Sequence, residues 1–190
     1  MTTPRDILDF WFSGQARSCW FVQDDDFDGQ IRARFGKAVQ EAQQGGFDNW
    51  RQSPEGTLAL LILLDQAARN LHRGTARAFL GDQRARQVAA AAIDRGFDRG
   101  FSLDQRQFFY LPFEHGETMA DQERAVDLFR ALFEQAAPGE RDHVTELLDN
   151  AHRHRDVIRR FGRFPQRNAA LGRDTTEAET AYLKTPVSVF

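Results

Sequence analysis

Cysteine is almost missing from this chain: Cys19 is the single one in 190 residues. No internal disulfide and no thiolate zinc cluster can form from one thiol. The first residues, Met1-Thr2-Thr3-Pro4-Arg5-Asp6, lack the basic start and apolar stretch of a signal peptide. Long apolar runs are lacking too, since the longest, Leu58 to Leu64, falls far short of the roughly 20 residues that span a bilayer. With a net charge of −3 and a pI near 6.0, there is no excess of positive charge to coat nucleic acid. A phosphate-cradling glycine loop, a Gly-x-Ser-x-Gly elbow and a His-Glu-x-x-His pair are all missing. These absences lead us to expect a cytoplasmic protein with no membrane segment, no nucleic-acid partner, no cofactor and no metal.

What is present suits one helical domain over residues 1–190. Hydrophobic residues make up 41% of the chain, including 17 Phe, enough to bury a core without crosslinks. No stretch alternates as a strand would, and a helical period dominates. An opening helix is expected from Pro4 to about Phe12. Asp24-Asp25-Asp26 places negative charge ahead of a second helix, about Phe27 to Gln43, closed by Gly45-Gly46. Ser53-Pro54 starts a helix whose continuous Leu and Ile content marks it as the buried centre. Further helices are expected at about 82–95, ended by Gly96, from about Thr118, over about 140–161, ended by Gly162, and near Thr175-Thr176-Glu177. Pro112 is expected to stop any helix in the Phe-rich stretch Phe108-Phe109-Tyr110-Leu111.

Polar residues stand out where this pattern demands apolar ones. In Leu64-Asp65-Gln66-Ala67-Ala68-Arg69-Asn70, Asp65 and Arg69 lie one helical turn apart, as do Gln66 and Asn70, and Arg73 follows one turn on. A buried charge is costly unless paired, so this stretch is either a satisfied ion pair within the core or the polar wall of a pocket. Between Ala151 and Arg173 seven arginines stand against one acid, Asp156, with Arg159, Arg160, Arg163 and Arg167 around a Gly- and Pro-shaped exit. Guanidinium forks in fixed directions suit carboxylates or phosphates, including the protein's own acids. Phe113-Glu114-His115-Gly116-Glu117 puts a loop histidine between carboxylates, where acid–base chemistry is available. Gln122 lies just beyond.

Three features look like sites and fail on closer reading. Asp24, Asp26, Asp28, Gly29 and Ile31 fall on calcium-loop positions, but Phe35 replaces the required Glu. Glu140 and His143 have di-iron spacing without a second copy on another helix. His152 and His154 point to different sides of a helix, and His154, on the apolar stripe, reads as a buried, hydrogen-bonded histidine. Cys19 reads as a small buried residue.

Asp9-Phe10-Trp11-Phe12, Leu64-Asp65-Gln66-x-x-Arg69-Asn70, Arg73-Gly74-Thr75, Leu111-Pro112-Phe113-Glu114-His115, Arg160 to Asn168 and Leu171-Gly172-Arg173 together resemble a bacterial family of unknown function, family 924. The resemblance spans nearly the whole chain. It implies an all-α fold of antiparallel helical hairpins in a tetratricopeptide-repeat-like right-handed superhelix. It also marks Asp65, Gln66, Arg69, Asn70, Arg73, His115, Gln122, Arg163, Arg167 and Asn168 as site positions. The family commonly has Ser where this chain has Gly116, and His where it has Gln166, so no mechanism should lean on either.

The leading expectation is a binding protein in which Arg69, Arg163 and Arg167 hold an anionic small molecule or an acidic peptide end, Asp65 orients an arginine, and Gln66, Gln122 and Asn168 direct hydrogen bonds. One alternative is a metal-independent enzyme using His115 with Glu117 or Asp65 as general acid and base. The other is a tetratricopeptide-like scaffold whose protein partner meets an exposed patch containing Trp11, Trp20 or Trp50.

Overall fold

The computed structural model describes residues 2–185, and every structured element among them is helical. In chain order these are α1 (Pro4–Trp11), α2 (Gly14–Arg17), α3 (Asp25–Gln43), α4 (Pro54–Leu61), α5 (Ala68–Leu71), α6 (Asp82–Asp94), α7 (Leu103–Glu114), α8 (Met119–Gln135), α9 (Arg141–Phe161), α10 (Asn168–Leu171) and α11 (Glu177–Leu183). Their starts follow local chemistry. The side chains of Thr3, Asp24, Ser53, Thr118 and Thr176 each accept a hydrogen bond from a backbone N–H in the first turn of α1, α3, α4, α8 and α11, satisfying donors that have no partner inside the helix. Gly162 closes α9 at φ 70°, a conformation that suits a residue without Cβ.

The described residues form two compact units, one of residues 2–73 and 77–112 and the other of residues 74–76 and 113–185. In the first unit, the helix begun at Ser53-Pro54 is the centre. It runs as α4, passes through a π-helical stretch, Ile62–Ala67, and continues as α5. Every residue from Gly56 to Ala68 is buried, against α1, α3 and α6. Gly81 comes so close to the Leu64 carbonyl that a Cβ there would collide with backbone. Beside the central helix, Phe10, Trp11, Trp20, Phe27 and Phe108 pack ring against ring, and the Trp20 indole donates to the Trp11 carbonyl at 2.8 Å.

In the second unit, α8 and α9 pack along each other as a hairpin joined by a five-residue turn, 136–140. Val157, Ile158, Phe164 and Tyr182 form a smaller apolar cluster that fixes the segment after α9.

Three expectations need correction. Pro112 does not end its helix, because α7 continues to Glu114. A proline removes only one donor and one carbonyl's partner, and two further residues complete the last turn around it. Cys19 is half-buried rather than buried, with its thiol 3.6 Å from the Gln15 carbonyl. Trp11, Trp20 and Trp50 are all buried, so they cannot form an exposed patch; the large exposed apolar side chains among the described residues are Phe21, Val22, Leu80, Met119, Leu171 and Leu183.

Candidate functional site

The polar set of the first unit is a closed network of charges. Arg69 meets both carboxylate oxygens of Asp82 at 2.9 and 3.0 Å, the Asp65 carboxylate at 3.0 Å and the Asp65 carbonyl at 2.9 Å. Burial alone would lower the Arg69 pKa, but the Asp65 and Asp82 charges outweigh it and the guanidinium is held more firmly protonated than usual. Gln66 does not reach Asn70; it donates to Asp65. Asn70 instead donates to Asp28 at 2.7 Å, and Arg73 grips the same carboxylate at 2.8 and 3.2 Å. Asp28, one of the calcium-like positions, is thus a brace between α3 and α5. A hollow of about 340 Å³ in this unit is lined by Asp48, Arg51, Thr57, Ala92 and Arg95 among others, and no predicted site residue lines it.

In the second unit the arginine-rich exit also meets the protein's own acids. Arg163 grips Glu179 at 2.6 and 2.9 Å and donates to the Asp174 carbonyl at 2.7 Å. Glu179 further accepts the Thr176 amide at 2.8 Å and the Asn168 side-chain amide at 3.3 Å. The Arg163 hydrogen bonds, then the Thr176 amide, pull the Glu179 carboxyl from 4.5 down to about 2. Because the folded-state value lies below the ordinary one, this group stabilises the fold fully above about pH 4.5, and its contribution is lost as the pH falls toward about 2. Glu179→Gln should therefore be less stable than the parent near neutrality, with the gap closing as the pH drops through that window. Melting temperatures taken across the acid limb check this; a gap that stays constant with pH would refute it.

Glu117 accepts from both terminal nitrogens of Arg173, at 2.7 and 3.1 Å, and from the Phe164 amide at 2.8 Å. Burial would raise its pKa, yet these hydrogen bonds and the Arg167 and Arg173 charges prevail and lower it. With its oxygens engaged this way, Glu117 holds the segment after α9 in place.

His115 has other neighbours. It follows the last residue of α7, Glu114, and its ring centroid lies 6.2 Å from that of His154 on α9. Glu114 and His154 are 3% and 8% exposed, and a carboxylate oxygen of Glu114 lies 3.3 Å from His154 Nδ1. One donor atom from each of Glu114, His115 and His154 falls within 4.8 Å of the others. His154 is buried and hydrogen-bonded, its Nδ1 2.9 Å from the Asn150 carbonyl one turn back. That carbonyl can only accept, so Nδ1 carries the proton and the lone pair is on Nε2. Burial, followed by the charge of His115, drives the His154 pKa down to about 3 against the pull of the Asn150 carbonyl, with the Arg167 charge adding to the fall. The Phe164 ring packs edge-on to His154 at 5.5 Å, and the Arg167 guanidinium lies 4.5 Å over that same ring.

Gln122 fixes the loop that carries this cluster. Thr118 caps α8, which puts Gln122 at the end of its first turn, facing back. The amide nitrogen of Gln122 reaches the carbonyls of Glu114 and Gly116 at 2.7 Å each and of Phe113 at 3.4 Å. Gly116 lies against Asp121 in the first turn of α8, and a Cβ there would sit 2.6 Å from the Asp121 Cβ, so a serine has no room without a shift of that turn. Gln166 is exposed.

The predicted set thus divides. Asp65, Gln66, Arg69, Asn70 and Arg73 lie in the first unit, and His115, Gln122, Arg163, Arg167 and Asn168 in the second. Sequence reading missed Glu114 and His154 as companions of His115. The order Glu114-His115 was legible, but nothing local announces that His154, nearly forty residues on, packs beside them.

Helices of this order and composition, with these strings at the polar positions, belong to a known group. The chain is a member of the family "Bacterial protein of unknown function (DUF924)", whose model matches residues 7–187. It is similar to the solved structure of a protein of unknown function from Agrobacterium tumefaciens, with 42% sequence identity over 95% of this chain and 96% of that one and a TM-score of 0.85. No curated protein matches it. Among the described residues, no helix is long and apolar enough to cross a membrane.

Proposed function

We propose that the chain binds a small anion, a carboxylate or phosphate group, at Arg167 and His115 in the second unit. The carrying observation is that the Arg167 guanidinium, itself mostly buried, lies 4.5 Å over Phe164, whose ring packs against His154, so a fixed positive charge stands beside the His115–His154 pair. Arg167 would supply the charge and His115 a directional N–H. Arg69, Arg73 and Arg163, each gripping an internal carboxylate, serve in this reading as braces, with Asp65, Gln66, Asn70 and Asn168 as parts of the same networks. The anion can be a free metabolite or the acidic end of a peptide. The α8–α9 hairpin supports tetratricopeptide-repeat-like stacking within this unit, and the single cysteine supports a cytoplasmic setting.

Thermal-shift titration with phosphate, sulfate and short dicarboxylates tests the reading. A ligand at 100 times its Kd should stabilise the parent by about 2.7 kcal/mol. Arg167→Gln should remove that gain, while Arg159→Gln, on an exposed turn, should keep it. If no anion raises the melting temperature of the parent, or if Arg167→Gln responds as the parent does, the reading is wrong.

A further inference from the structure

The structure assigns Glu114, His115 and His154 to a binding site for a single divalent transition-metal ion of the zinc class. This goes beyond the anion reading and does not depend on it.

The donor types come first. Two imidazoles and one carboxylate suit zinc, iron(II), cobalt(II) or nickel(II), whereas calcium and magnesium take oxygen ligands. Their placement comes next. Ligand atoms about 2.1 Å from a tetrahedral ion stand about 3.4 Å from one another. Here one donor atom of each residue already lies within 4.8 Å of the others. The side chains that must close that remaining gap are Glu114, at the last turn of α7, and His115, half-buried on the loop after it.

Supporting contacts match what a metal site requires. A ligating histidine ordinarily donates its second ring N–H to a carbonyl or carboxylate, which fixes the tautomer and the ring. His154 Nδ1 meets the Asn150 carbonyl at 2.9 Å and the Glu114 carboxylate at 3.3 Å, so Nδ1 carries the proton. Nε2 is the nitrogen that would bind the ion, and Glu114 would turn from Nδ1 to the ion. The loop carrying the other two ligands is held by the Gln122 amide through the carbonyls of Glu114 and Gly116. His154 and Glu114 are enclosed while His115 is half-buried, so one side of the ion would remain open to water or an exogenous group. Three protein ligands and an open position are the pattern of a reactive rather than a purely structural zinc site.

Calorimetric titration of the chelator-treated full-length protein with zinc chloride, in a buffer free of phosphate and carboxylates, decides the matter. We expect one zinc per chain, and visible absorption bands when cobalt(II) replaces zinc. His115→Ala alters a half-buried loop residue and should fold as the parent does. It should weaken zinc binding by tenfold or more, as should the near-isosteric Glu114→Gln. His143→Ala, on the exposed side of α9, should bind as the parent does. Arg167→Gln should leave zinc affinity unchanged or raise it while removing the anion response, which separates this site from the anion reading. No zinc binding in the parent, parent-like affinity in His115→Ala, or loss of binding in His143→Ala or Arg167→Gln would each overturn the assignment.

Discussion

Arg69→Met should cost the protein about 3–5 kcal/mol, the loss expected when one partner of a buried ion pair is removed and the other charge stays behind. Asp65 would bear most of that loss. Asp65 is 1% exposed, and with Arg69 gone its carboxylate loses the opposite charge at 3.0 Å that offsets its burial. Asp82, in the first turn of α6, retains the favourable field of the helix N-terminus. Urea unfolding of Arg69→Met, alone and combined with Asp65→Leu, measures the effect. The double variant should recover a large part of the loss, because an apolar replacement of the whole pair avoids the stranded charge. If Arg69→Met alone unfolds within about 1 kcal/mol of the parent, the network is solvated and holds nothing together.

Gln122→Leu carries the second large effect. One side-chain amide faces three carbonyls of the Phe113–Gly116 loop, and it is fully buried. Replacing it leaves those acceptors to find water inside the unit, at about 1–3 kcal/mol for each one that fails. We expect a total loss of about 2–4 kcal/mol on that basis. Zinc and anion affinities should both fall as well, since His115 loses its fixed position. Gln122→Glu should be no better, because a carboxylate brings acceptors where donors are needed. A Gln122→Leu protein with parental melting temperature and parental ligand response would show that the loop is held by other contacts.

Helix boundaries were legible where a capping side chain or a left-handed glycine sets them, as at Ser53-Pro54, Thr118, Thr176 and Gly162. Those residues act on backbone groups within a few positions, so their effect can be read locally. Pro112 misled because its cost in a helix is finite, and only two residues of α7 follow it. The π stretch at Ile62–Ala67 left no sign, since a helix buried on every side has no apolar stripe whose phase an extra residue would visibly shift. Long-range pairing was the least accessible part. The arginines around α9 read as hands for a guest, but Glu179 and Glu117 occupy Arg163 and Arg173, and neither acid is close in sequence to its partner. Gln122 was singled out, yet its target is a turn of backbone carbonyls, which carries no residue-type signal. His154 was correctly read as buried and hydrogen-bonded. What its neighbours are depends on where α9 packs, and no spacing within α9 encodes that.

The π stretch also sets a rule for how this chain can change length. Spacing hydrogen bonds five residues apart fits one residue more into the central helix than a regular α-helix of the same height would hold. Losing one of residues 62–67 would let the segment relax into ordinary α-helix of nearly the same height, and the residues beyond would keep their facing. Arg69 would still point toward Asp82, and Asn70 and Arg73 toward Asp28. The central helix thus has room to lose one residue here, whereas losing a second would turn everything beyond by about 100° about the axis.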